Sequence, residues 1–274
     1  VTIDPTASLI SGAGGRLRFQ TQTSGRAIAL GSSDAGALAL STAELATIGA
    51  GWTNIDFLKG GQSGDIRVDS ATTLNPSVTF QLGSGSLRLN DNLTLAGAFT
   101  TNGRVRVGAG TIQLSAASAI FGNLVDAAAA GANFTVTSPG LIDFRNSIGS
   151  ALALNSLTTT GGGAARVRNL VRSGNTTFNG AVQLAADTTF SGGTVAFNNT
   201  LNSHTTGFYN ATVLGPSVLF GGEVGTGRAL ASLLTTGNAT VNARVLTNLN
   251  QTYGGTLIIG GTATSLDAGG AFVA

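Results

Sequence analysis

The feature that most constrains this chain is the alternation of short apolar runs with clusters of Gly, Asn, Ser and Asp along its length. Runs such as "SVTFQL" (77–82), "RVRV" (104–107) and "TVAFNN" (194–199) place an apolar residue at every second position. A period of two indicates a strand with one buried face, and turn signals at such short intervals are typical of all-β proteins. The pattern therefore predicts an all-β fold.

Helical periodicity is confined to two short stretches. "STAELATI" (41–48) has Ser41 three residues before Glu44, which is the spacing of a capping box. "LVDAAAAGA" (124–132) is rich in alanine, the best helix former. Both are expected to form at most short helical turns.

Composition narrows the choice among all-β folds. Charged residues make up 9% of the 274 residues, against roughly 25% in ordinary soluble domains. Because 42% of residues are hydrophobic, the chain has enough apolar surface to fold. A low charge content suits a β-solenoid, in which like charges would stack about 5 Å apart on successive coils. The 41 glycines are expected to supply corners with positive φ.

A short repeat supports the solenoid. An aromatic residue followed by glycine and an aliphatic strand recurs at irregular intervals in the last hundred residues. Its aromatic residues are predicted to stack inward, and its glycines to form corners. The stacking candidates are Phe178, Phe190, Phe220 and Tyr253, and the corner candidates are Gly180, Gly192, Gly222 and Gly254. The twelve residues between the first two copies are about half a coil, which places those copies on different sheets of neighbouring turns.

Longer phrases carry a family resemblance. "LALSTAEL" (38–45) and "SGDIRV" (63–68), within 26–71, resemble a repeat of large secreted bacterial proteins of the filamentous-haemagglutinin type. "TTFNGAVQLAADTTFSGG" (176–193), within 176–270, resembles the companion repeats of the same proteins. The resemblance implies a right-handed parallel β-helix (β-solenoid) in a bacterial surface protein.

The same resemblance implies a function and a location. It implies export through the outer membrane to the cell surface or the extracellular space, and a role in cell adhesion, biofilm or sheath architecture. Implied partners are a host or neighbouring-cell surface, glycans or other copies of the chain. The nearest match to the family's Asn-Pro-Asn-Gly secretion signature is "NPS" at 75–77, so a stalk is expected rather than a secretion domain.

The expected organisation is a single β-helical rod over 1–274. Residues 1–25 and 262–274 begin and end in mid-phrase and are interpreted as cut ends of a longer protein. The subrepeats are 26–71 and 176–270. No apolar run approaches the roughly 20 residues of a membrane helix, so this segment is not expected to span a membrane.

The search for reactive groups returns little. The single histidine, His204, lies in a polar stretch, and no grouping has metal-ligand spacing, so no metal or cofactor is expected. The acids are scattered, although Asp126 and Asp143 are free to meet across coils. The chain is therefore predicted not to be an enzyme. The alternative is a β-helical carbohydrate-active enzyme or polysaccharide-binding module, which needs acids, arginines or lysines gathered on one sheet.

Two further expectations concern binding. The arginine pairs at 104/106 and 166/168 are interpreted as solvated strand faces, and nucleic-acid binding is not expected without a denser basic stripe. Trp52 and Tyr209 are the candidates for surface contact. A second alternative function is a subunit of a self-assembling extracellular filament.

Overall fold

The computed structural model describes residues 14–49, 51–59, 63–261 and 264–269. It is 55% strand and 2% helix, and its parallel strands stack as a β-solenoid of about 10 turns. The predicted all-β fold and parallel β-helix are therefore confirmed. Of the predicted cut ends, 1–13, 262–263 and 270–274 lie outside the described residues.

Twenty-nine strands and one helix are described. The first half contains β1 (Gly15–Gln20), β2 (Ile28–Leu30), β3 (Leu38–Leu40), α1 (Thr42–Ala46), β4 (Trp52–Lys59), β5 (Ile66–Val68), β6 (Thr72–Leu74), β7 (Ser77–Leu82), β8 (Ser86–Leu89), β9 (Leu93–Leu95), β10 (Phe99–Thr101), β11 (Arg104–Val107), β12 (Gly110–Ser115), β13 (Ala119–Phe121), β14 (Val125–Ala127) and β15 (Ala132–Thr137). The second half contains β16 (Ile142–Phe144), β17 (Leu154–Thr160), β18 (Ala165–Phe178), β19 (Val182–Gly192), β20 (Thr194–Phe197), β21 (Leu201–Ser203), β22 (Ala211–Leu214), β23 (Ser217–Phe220), β24 (Leu233–Thr235), β25 (Asn238–Val241), β26 (Val245–Thr247), β27 (Gln251–Tyr253), β28 (Leu257–Ile259) and β29 (Leu266–Ala268).

Each coil has three sides. Side one stacks β1, β4, β7, β10, β13, β16, the start of β18, the start of β19 and β21. Side two stacks β2, β5, β8, β11 and β14, and continues through bridges at 148 and 171 to the end of β19, β22, β24 and β27. Side three stacks β6, β9, β12, β15, β17, the end of β18, β20, β23, β25 and β28. β18 and β19 turn corners without a break, and they thereby join sides one and three and the second half of side two into one 21-stranded sheet. The first half of side two, with β3, forms a separate six-stranded sheet.

Stacked phenylalanines fill the interior. On side one, consecutive rings lie with centroids 4.7–5.7 Å apart and are buried. These rings belong to Phe19, Phe57, Phe80, Phe99, Phe121 and Phe144. On side three, Phe197 lies between Phe178 and Phe220, 5.5 Å from each ring centroid. Because every coil adds about 4.8 Å, offset ring stacking matches the coil spacing of the backbone.

The repeat at 176–193 does occupy two sides. Phe178 lies on side three, where its strand pairs with β20. Phe190 lies on side two of the next coil, opposite Val171 and Val213, and meets Phe197 edge-on at 5.0 Å. Hydrogen bonds between coils join residues at different separations, from 17 positions for Arg166 and Gln183 to 40 for Arg16 and Asp56, so the irregular repeat spacing reflects coils of unequal length.

The corner glycines require a correction. Only Gly192 has the positive φ that was predicted, at 147°. Gly180, Gly222 and Gly254 lie in bends without positive φ. They are needed for a different reason: a Cβ on Gly180 would lie 2.1 Å from the carbonyl oxygen of Gly163 in the preceding coil. Close stacking of backbones at the corners excludes side chains there.

The two helical expectations have opposite outcomes. α1 forms at 42–46 with Ser41 as N-cap, and both halves of the capping box with Glu44 are present. The stretch 124–132 is not helical, because 125–127 form β14 and pair with β11. A nine-residue alanine-rich segment is too short to hold a helix alone, so pairing with the neighbouring coil decides its structure.

Candidate functional site

Two groups of charged side chains lie on the outside of the coils. The first, here called the balanced face, lies mainly on side two and consists of Arg67, Arg88, Arg104 and Arg106 with Asp34, Asp65, Asp69 and Asp126. The second, here called the arginine face, lies on side one and consists of Asp143, Arg145, Arg166 and Arg168. The two faces differ in how fully their aspartates neutralise their arginines.

The balanced face corrects the expectation that like charges avoid stacking. Arg67, Arg88 and Arg106 are direct register partners on three successive coils. Arg67 bonds to Asp34 and Asp69, and Arg88 bonds to Asp65. Interleaved carboxylates therefore neutralise the arginine stack. The Arg67 guanidinium holds the pKa of Asp34 below its usual value.

The arginine face is built around one buried carboxylate. The Asp143 side chain is 3% exposed and accepts hydrogen bonds from Arg168 Nη1 at 2.8 Å and from Arg145 Nε at 3.0 Å. Arg166 Nη1 lies 3.9 Å away. Three guanidinium groups thus surround one carboxylate, which leaves an excess of positive charge. Burial of a charge is tolerated here because it is paired and hydrogen-bonded.

The path of β18 places the arginines. Ala165 and Val167 point inward and are buried, so Arg166 and Arg168 between and after them point outward. Asn169 then adopts φ 63°, a left-handed conformation that asparagine tolerates better than most residues. This corner turns β18 toward side two directly after Arg168.

A polar row continues from Arg166 along the coils. Asp143, Arg166, Gln183 and Asn202 are successive register partners on side one. Arg166 Nη2 donates to Gln183 Oε1 at 3.5 Å. Asn202 Oδ1 accepts from the backbone N–H of Gly227 at 3.0 Å, which ties the row to the next coil.

A turn beside the end of this row presents an aromatic residue. The turn follows β21 and runs from His204 to Asn210. Phe208 is 51% exposed, and the Arg228 guanidinium lies 4.3 Å from its ring centroid. Arg228 Nε also donates to the backbone oxygen of Gly207 at 2.7 Å. The turn is therefore held against the coil by a cation–π contact and a charged hydrogen bond.

The pKa of His204 depends on the charges of the arginine face. Its pKa is lowered, first by desolvation and then by the positive charges of Arg166 and Arg168, while Asp143 opposes the shift. Its Nδ1 lies 3.2 Å from the Thr206 hydroxyl, which in turn lies 2.9 Å from the Tyr209 hydroxyl. The arginines around Asp143 therefore contribute to the lowered pKa of His204.

The predicted stacking residues all point inward. Phe178, Phe190 and Phe220 are fully buried and make ring contacts. Tyr253 is 9% exposed and donates its hydroxyl to Gln251 at 3.1 Å, but within the described residues it makes no ring contact. Burial raises the pKa of Tyr253.

The predicted surface-contact residues are less exposed than expected. Trp52 and Tyr209 are half-buried and pack against the core. Among the residues that the structure describes, the exposed aromatic residue is Phe208, the neighbour of Tyr209, which sequence reasoning missed. The signal was its position in the longest irregular stretch, 202–212, where no alternating pattern requires burial.

Asp126 and Asp143, which were free to meet across coils, do not meet. Asp126 lies on side two against Arg104, and Asp143 lies on side one against its own arginines. Within the described ranges, no group of three or more His, Cys, Asp or Glu side chains is arranged to hold a metal ion. Among the same residues, no helix has the length and apolar content needed to cross a membrane.

Comparisons with known proteins add no relative: no protein-family model matches the chain, and neither does a curated protein or a solved structure.

Proposed function

We propose that this chain is a non-enzymatic, extracellular β-helical segment of a bacterial surface protein, which supplies length and an adhesive surface. In this role the stalk or fibre supports adhesion, biofilm or sheath architecture. The proposal includes export through the outer membrane, and partners on a host or neighbouring cell.

One observation carries the proposal: the interior of the coils is filled along its length. Inward side chains on all three sides are mainly apolar and stacked, with a few buried polar side chains such as Lys59, Thr101 and Gln251 among them. The rings in both phenylalanine stacks are buried. A solenoid of this kind gains stability by adding similar coils, each packed on its neighbours. Several of its outer carboxylates are used in ion pairs, for example Asp56 with Arg16 and Asp126 with Arg104.

Labelling of intact cells tests the location. Antibodies raised against the chain are expected to bind the surface, or extracellular fibres, of unpermeabilised cells that make the protein. Labelling only after permeabilisation would overturn the proposal.

A product assay tests the absence of catalysis. The chain is incubated with neutral and acidic polysaccharides, and new reducing ends and unsaturated uronates are measured. We expect none, and turnover that persists through repeated purification would establish an enzyme instead.

A polysaccharide-binding module is the second candidate. The arginine face favours it, because three arginines are gathered on one side, as such a module requires. Binding and adhesion are compatible in one rod.

A further inference from the structure

We propose that the arginine face, together with Phe208 and Arg228, binds a carboxylate-bearing polysaccharide laid along the coils. This inference rests on the proposed adhesive function and names its ligand class. The site combines a surplus of guanidinium groups, a row of amide side chains and an exposed ring.

The surplus of positive charge supplies the attraction. Asp143 is satisfied by Arg168 and Arg145, so it does not need the third guanidinium. Arg166 holds only long contacts, 3.9 Å to Asp143 and 3.5 Å to Gln183. Its Nη groups therefore retain donor capacity, and a carboxylate is the planar acceptor that a guanidinium pairs with best.

The row of side chains supplies direction. Arg166, Gln183 and Asn202 lie on three successive coils and are spaced by about 4.8 Å. Such a row follows the axis of the solenoid, which suits an extended polymer better than a compact ligand. Gln183 and Asn202 offer amide groups that match sugar hydroxyls.

Phe208 supplies an apolar contact. Its ring is half exposed, and Arg228 lies over it at 4.3 Å. A sugar ring has C–H faces that pack on an aromatic ring. The Arg228 guanidinium would pair with a carboxylate of a neighbouring sugar. Glu223 is exposed on the following coil and bonds to Thr226, so a negative charge limits the site at that end.

The modest charge favours a carboxylated polymer over a sulfated one or a nucleic acid. Three arginines against one aspartate, with Arg228 nearby, give only a few unit charges. A densely charged polyanion is expected to need a longer basic stripe, because its binding depends on many phosphate-like contacts. The balanced face provides no such stripe, since its carboxylates neutralise its arginines.

The experiment measures binding of the whole chain to polygalacturonate, with dextran as the uncharged polymer and heparin as the sulfated one. We expect binding to polygalacturonate that weakens with added salt, and none to dextran. Phe208→Ala and Arg228→Gln are each expected to weaken it about tenfold. Circular dichroism of both variants should match the parent chain. A small drop in thermal midpoint is expected, because each variant removes the cation–π contact and Arg228→Gln also removes the hydrogen bond to the Gly207 oxygen.

Two matched variants serve as controls. Arg106→Gln removes a positive charge from the balanced face, and Leu249→Ala removes an apolar side chain that is 57% exposed. Both are expected to leave affinity unchanged. If they weaken binding as much as the site variants do, or if heparin binds more tightly than polygalacturonate, the assignment of this site is wrong.

The result separates this inference from the proposed function. A chain that labels at the cell surface and degrades no polysaccharide, yet does not bind polygalacturonate, overturns only the ligand assignment. Cleavage of polygalacturonate overturns the proposed non-enzymatic function while leaving the binding face in place.

Discussion

Single residues stabilise this solenoid by repeating the same contact from coil to coil. Phe197 is the clearest case, because it is fully buried and lies between two rings at 5.5 Å. Truncating such a residue removes its buried area and leaves a cavity that neighbouring coils cannot close.

Phe197→Ala is therefore expected to lower the free energy of unfolding by roughly 3–5 kcal/mol. Denaturant unfolding followed by circular dichroism measures the change. Phe208→Ala is the control, since half of its ring is already in water, and its cost should stay below about 1 kcal/mol. Equal losses for the two variants would contradict the stacking account.

Gly180 tests the reason for glycine at the corners. In Gly180→Ala, the new methyl group would lie 2.1 Å from the Gly163 oxygen, so the coils must separate locally. We expect a loss of about 1–3 kcal/mol in unfolding free energy, as for other overpacked sites. Gly227→Ala is the matched control, because its nearest neighbour would be an ordinary 3.4 Å away. Comparable unfolding midpoints for both variants would show that spacing between coils is not limiting.

These residues also show what sequence reasoning can reach. Inward aromatic residues such as Phe178 follow from alternation alone, since the period of two assigns each side chain to a face. The requirement at Gly180 depends on the backbone of another coil, which no local pattern contains. The same limit applies to Tyr253, whose register partner on the preceding coil is Thr235 rather than another aromatic residue.

For strands and helices too, local sequence predicts some features, whereas others depend on a neighbouring coil. Strands such as β11 and β12 lie where the alternation of apolar and polar residues predicts them, because each strand buries one face. The alanine-rich segment 124–132 does not form a helix, because β14 within it is hydrogen-bonded to β11 of the neighbouring coil. In the candidate site, the face of Arg166 and Arg168 was predictable from spacing. Asp143 as their shared partner was not, because the length of the intervening coil decides which residues meet.

The arginine face predicts a measurable pKa. Asp143 raises the pKa of His204, whereas Arg166 and Arg168 lower it. In Asp143→Asn the opposing charge is gone, so the pKa of His204 should fall further. His204 is the only histidine, and its ring resonances in NMR spectra report the titration directly. Asp65→Asn on the balanced face should leave it unchanged, and an unshifted pKa in Asp143→Asn would place His204 outside the field of this cluster.

His204 also couples stability to pH. Its folded-state pKa lies below its ordinary value of 6.5, so the unfolded chain binds the proton first as pH falls. This group therefore lowers stability below about pH 6.5 and has no effect well above it. His204→Asn is expected to reduce the loss of stability between pH 7 and pH 5, as measured by urea unfolding at each pH. A pH dependence identical to that of the parent chain would contradict this assignment.

At the scale of the whole molecule, the core changes its construction partway along. The side-one stack ends at Phe144 in β16, and the side-three stack begins at Phe178 in β18. After Phe144, side one continues with the smaller aliphatic side chains of Val167 and Leu184, which are register partners. Each stack therefore supports its own group of coils, and the arginine face lies where one gives way to the other.

This construction predicts that damage stays local. In a solenoid each coil contacts only its neighbours, so stability is close to a sum over coils and their interfaces. Phe80→Ala is expected to speed amide exchange in β4, β7 and β10 more than in β22–β25. Phe197→Ala should give the reverse pattern, with faster exchange in β18, β20 and β23. Hydrogen-exchange mass spectrometry on both variants checks this, because two identical, uniform increases would mean that all the coils unfold as a single cooperative unit.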